Sequence, residues 1–170
     1  GDPIVMGYDA QCGLLSLPAV LGLDDWLEMT AWDAPKWAAL PSPHAGCFSR
    51  SSVFGRPQIG LCWTAQEKAT GRRHRSLEPD ALVRLQSLPV DWYRLDPGTD
   101  GPSWAIPAGK EMKDWSLMAD FIECLDAVVT VDTAFAHLAA GLGKPTFVML
   151  ATRSDWRWGV GERTTTFYPT

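Results

Sequence analysis

"DAVVTVDTAFAHLAAGLGKPTFVML", residues 126–150, is the stretch whose reading decides the fold. Residues 127–132 form an apolar, β-branched run of strand length, and residues 145–150 form a second one. Between them, 133–143 is a small-residue segment with helical spacing that closes on glycines. Strands that are apolar along their whole length, joined by a helix, predict a βαβ crossover in a parallel sheet covered on both faces. Phe135, Leu138, Ala139 and Leu142 share the helix face expected to pack on the sheet. On another side of the helix Ala136 and Ala140, four apart, leave room for close approach to the backbone. Asp132 and Thr133 stand where strand becomes helix, and either suits the N-cap. A plain helix cap is one reading of this pair. An anion site is the other, because a helix N-terminus at the carboxyl edge of a parallel sheet offers free N–H groups and a positive dipole end. Thr133 would add a hydroxyl donor.

Upstream the same alternation continues. Residues 58–63 and 90–95 have strand character, 76–88 reads as a helix with Pro79, Glu78 and Asp80 at its start, and 116–125 places Leu117, Phe121 and Leu125 on one helical stripe. "DPGTDGPS" at 96–103 is a turn cluster. The expected fold is therefore α/β, a Rossmann-like open parallel sheet with helices on both faces, occupying residues 51–170. Residues 1–50, with five prolines and no strand–helix repeat, read as an irregular N-terminal arm. In such sheets ligands sit beyond the carboxyl ends of the strands. That singles out the loops 63–76, 96–104 and 151–158, together with Asp132-Thr133.

Composition narrows the function. A chain of 170 residues with 46% hydrophobic content can bury a core, and its net charge of −5 argues against a nucleic-acid partner. No apolar run is long enough to span a bilayer and nothing reads as a signal peptide, which fits a cytoplasmic protein. The four cysteines and three histidines show no metal-ligand spacing. "GLGKP" follows the helix rather than preceding it, so it is neither a dinucleotide fingerprint nor a P-loop. One local feature runs against the acidic whole: Lys68, Arg72, Arg73 and Arg75 crowd the loop after the first strand. A solvated charge run is the plain reading. Its position at the same sheet edge as Asp132-Thr133 favours a diphosphate ligand.

"IGLCWTAQEK", Arg75-Ser76, the 126–150 stretch and "DWRWG…FYPT" together resemble glycosyltransferase family 9, the heptosyltransferase-like proteins often fused to tetratricopeptide repeats. The resemblance runs over residues 58–170. "LLSLP" at 14–18 is similar to a segment from the end of the family's amino-terminal domain. It implies one half of a GT-B fold, holding a nucleotide-diphosphate sugar donor with no cofactor of its own. On this resemblance Asp132, Thr133 and Ala134 line the donor phosphates, Thr64, Lys68, Arg75 and Ser76 belong to the first-strand loop that reaches them, and His137, Asp155 and Trp156 are carried over as motif residues. No Asp-x-Asp pair occurs, so transfer is expected to be metal-independent. The catalytic base would lie in an amino-terminal GT-B domain for which residues 1–50 are too short. These 170 residues are thus expected to bind a donor without transferring it. A non-catalytic nucleotide-binding or protein-interaction module on the same scaffold is the alternative.

Overall fold

The computed structural model describes residues 48, 55–65, 75–98, 101–152, 154 and 158. The arm at 1–47, its "LLSLP" segment and the closing "FYPT" lie outside the described residues.

Five strands, β1 (Gln58–Cys62), β2 (Asp91–Arg94), β3 (Ile106–Pro107), β4 (Ala127–Val131) and β5 (Thr146–Met149), form one sheet in the order β3-β2-β1-β4-β5. Every pairing is parallel. The chain walks outward from β1 to β3, then returns to the other side of β1 for β4 and β5. Right-handed crossovers moving in opposite directions place their helices on opposite faces. A 3₁₀ turn at Pro79–Leu82 running into α1 (Val83–Gln86) covers one face, and α2 (Trp115–Cys124) and α3 (Ala134–Gly141) cover the other. The sequence expectation of a Rossmann-like α/β sheet is met.

Pleating sorts the side chains between two cores. Leu61, Trp63, Trp92, Leu82 and Ala105 pack under α1, while Cys62, Leu95, Val128, Met118, Ile122, Leu125 and Ala139 pack under α2 and α3. Each such Leu or Ile, fully enclosed, contributes about 1.5–3 kcal/mol.

The elements differ in detail from their sequence reading. The helix expected over 76–88 is regular only across the two short segments above, and Leu88 is 47% exposed. Pro89 cannot continue a helix, and the Leu88 N–H turns back to the Leu85 carbonyl instead. On α2 the buried stripe is Met118 and Ile122 leading to Leu125, one residue round from Leu117 and Phe121, which are half-buried. On α3 the fully enclosed residues are Ala136 and Ala139, with Ala140 nearly so, and Phe135, Leu138 and Leu142 pack partly buried beside them. Strand β3 escaped notice because two residues, both exposed and one a proline, carry no periodic signal.

The glycines after α3 act as a stop. Gly143, at φ 73°, lets its own N–H reach the Ala140 carbonyl and that of Lys144 reach Ala139, a Schellman closure. Lys144 then donates from Nζ to the carbonyls of Glu123 and Leu125, satisfying the end of α2. Among the described residues no helix is long and apolar enough to cross a membrane.

Candidate functional site

The strand order reverses between β1 and β4, and ligands of open α/β sheets bind where the carboxyl ends flank such a point. A cleft of about 960 Å³ lies there, large enough for a dinucleotide-sized ligand. Its walls come from four loops: Thr64 and Ala65 after β1, 95–98 after β2, Gly109 and 112–115 after β3, and 132–135 with His137 after β4.

Asp132 and Thr133 are the two-residue turn between β4 and α3. Thr133 occupies the N-cap position, but its side chain makes no cap hydrogen bond. Its Oγ1 lies 3.1 Å from that of Thr130, whose hydroxyl donates to the Val131 carbonyl. The Thr133 hydroxyl is thus paired with Thr130 beneath the turn. The expected N-cap position is occupied by Thr133, without a side-chain bond to the helix N–H groups. The Ala136 N–H bonds to the Thr133 carbonyl. Ala134 and Phe135, which line the cleft, stand at helix positions whose N–H groups have no carbonyl within the helix to meet.

Arg75 crosses to this turn from the far end of the basic loop. Its Nη1 donates to the Asp132 carbonyl at 3.0 Å and lies 3.5 Å from the Asp132 carboxylate. The side chain remains 38% exposed, so the ion pair itself adds little stability and leaves guanidinium donors facing the cleft. Ser76 does a different job: its hydroxyl accepts from the Ala65 N–H at 3.0 Å, and the adjacent Leu77 N–H bonds to the Trp63 carbonyl. These bonds close the base of the 64–76 loop and aim Arg75. His137 lines the cleft and stacks on Trp158, ring centroids 5.3 Å apart. Lys68, Asp155 and Trp156 lie outside the described residues.

Sequence reasoning passed over Asp96. It opens the turn cluster after β2, and its Oδ1 accepts from the Gly98 N–H at 3.1 Å, an Asx turn. The residue is buried at the cleft wall, and among the described residues its Oδ2 has no hydrogen-bond partner. Leaving such an acceptor unmet costs about 1–3 kcal/mol. Burial pushes the carboxyl above its ordinary range, against the Gly98 hydrogen bond and the Arg94 charge. Nothing but an Asp-x-Gly pattern marked it in the sequence, and that pattern says turn. Beside it, Gly109 has no room for a side chain, because a Cβ would run into the Leu95 carbonyl.

Cys62 is fully buried in the core beneath the sheet's carboxyl edge. Burial first, and the Asp96 charge second, push its thiol up to about 11, while the hydroxyls of Thr130 and Thr133 oppose that shift. Among the described residues no three metal-ligating side chains converge.

No curated protein and no solved structure matches the chain. The resemblance does find support over α2, β4, α3 and β5, the segment that carries the Asp132-Thr133 turn: residues 114–165 match the family model of glycosyltransferase family 9 (heptosyltransferase).

Proposed function

We propose that this chain is the nucleotide-sugar-binding half of a metal-independent GT-B glycosyltransferase, working in the cytoplasm with an amino-terminal domain that supplies the catalytic base. The observation that carries this reading is the convergence of the α3 N-terminus and the Arg75 guanidinium at the switch point of the sheet, inside one cleft. The amides of Ala134 and Phe135 and the helix dipole would receive the diphosphate. Arg75 would neutralise it further as it becomes the leaving group.

The test is a thermal-shift and titration panel with ADP, UDP, GDP, CDP and pyrophosphate. Arg75→Ala is expected to weaken every diphosphate by ~10-fold or more, the loss of one charge-assisted hydrogen bond of ~1.5–3 kcal/mol. Its own melting temperature should barely move, since exposed ion pairs contribute ~0–1 kcal/mol. Failure of all five ligands to bind the wild-type chain would dismiss the reading.

A further inference from the structure

Among the described residues the fold leaves six large hydrophobic side chains exposed, and five of them, Val83 and Phe147 included, lie outside the cleft. Trp115 is the sixth: it is 56% exposed and lines the cleft. A single apolar residue on an open surface is ordinary. An indole in a concave one is not, because ligand pockets draw much of their contact area from aromatic side chains.

Its position is built. Trp115 is the first residue of α2, and the Asp114 carboxylate fixes that start by accepting from the Leu117 N–H at 2.8 Å and from the Ser116 hydroxyl at 2.7 Å. The indole leans on Phe135, with ring centroids 5.5 Å apart and planes tilted by 51°, a contact that limits its rotation without covering it.

Phe135 ties this aromatic pair to the anion end of the cleft. Its ring packs on Trp115, while its own N–H belongs to the first turn of α3, among the amides proposed to receive a diphosphate. The lining therefore changes character at one residue. Arg75, Asp132 and Thr133 supply charge and polarity, whereas Met112, Trp115, Met118 and Phe135 supply apolar surface, with exposed Lys113 and Asp114 interspersed. A ligand that matches both parts carries a diphosphate and, attached to it, a ring with one flat apolar face.

We propose that Trp115 is the stacking platform for a ring carried on that diphosphate. A nucleobase and a hexose both present such a face, the first through its π system and the second through its C–H groups. This rests on the diphosphate reading above.

Calorimetric titration of the full chain compares the wild type with Trp115→Ala and Trp115→Phe, using pyrophosphate, ADP, UDP, GDP, CDP and the glucose conjugates of all four. Loss of a stacking aromatic weakens binding by about 5-fold or more. Trp115→Ala should bind pyrophosphate as the wild type does and lose that factor wherever the stacked ring is present. Trp115→Phe keeps a ring and should recover most of the loss. A loss already seen with the nucleoside diphosphates assigns the ring to the base, and one confined to the glucose conjugates assigns it to the sugar. Both variants should melt close to the wild type, since Trp115 is largely exposed. The emission that Trp115→Phe removes gives a second readout that needs no alanine variant: acrylamide should quench it less once the ring-bearing ligand is bound, and pyrophosphate should not protect it. Equal affinities across the three proteins, or the same loss for pyrophosphate as for every nucleotide, would overturn the proposal and leave the diphosphate site standing. If neither pyrophosphate nor any nucleotide binds the wild type, both readings fall together.

Discussion

Cys62 shows how much a single atom's surroundings decide. Its thiol ordinarily titrates near 9.0, but in the fold it loses its proton only at about 11. Between those values the unfolded chain has released a proton that the folded chain still holds, so unfolding becomes easier as pH rises. Cys62 should therefore cost the fold on the order of 2–3 kcal/mol across pH 9 to 11, at ~1.4 kcal/mol per pH unit. Subtracting the pH-stability curve of Cys62→Ser from that of the wild type isolates this slope. Parallel curves would show that the thiol is not enclosed. At neutral pH the same burial keeps Cys62 a thiol and poorly reactive.

Among the elements, α3 joins site to core, and its two faces make opposite demands. Ala136 is fully enclosed against the sheet, so Ala136→Leu forces bulk where none fits and should cost about 1–3 kcal/mol or more. Leu138 is only partly buried, and Leu138→Ala should cost about 2 kcal/mol, the low end for a core deletion. Urea denaturation of both variants checks the assignment. A Leu138→Ala loss much larger than that of Ala136→Leu would mean that the helix faces are reversed. This element was also the most legible in sequence, because strand, polar step, small-residue helix and closing glycines each point the same way. Arg75 was legible as a charge near the carboxyl edge of the sheet. Its grip on the Asp132 carbonyl was not, since it depends on Ser76 and Leu77 closing a loop. Asp96 was hidden by its place in a turn. Turn-forming residues announce a change of direction, and they say nothing of which side chain that change leaves facing inward. The pairing of the Thr133 hydroxyl was not legible either, since its partner Thr130 is hidden in an otherwise apolar strand.

Over the whole molecule, the cleft is lined from both wings of the sheet: 95–98, Gly109 and 112–115 from the β2–β3 side, and 132–135 with His137 from the β4 side. A ligand spanning it should couple the two wings more tightly than the β1 pairings and their shared core already do. Hydrogen exchange in saturating nucleoside diphosphate should slow at Ala134 and Phe135 and, less directly, across β2 and β3. The gain follows RT ln(1 + [L]/Kd), about 2.7 kcal/mol at a hundredfold excess over Kd. Protection confined to the β4–α3 turn would mean the ligand touches one wing alone.

Because the strand order reverses at β1, the two walls of the cleft, 95–98 on one side and 132–135 on the other, reside on separate stretches of chain, with α2 between them. Mutation can therefore edit one without disturbing the other. Changes of length or composition around 96–114 would retune which donor is accepted while the anchoring turn stays as it is. A scaffold built this way can drift between substrates in small, viable steps, and grafting that one segment from a relative is the natural way to redirect it.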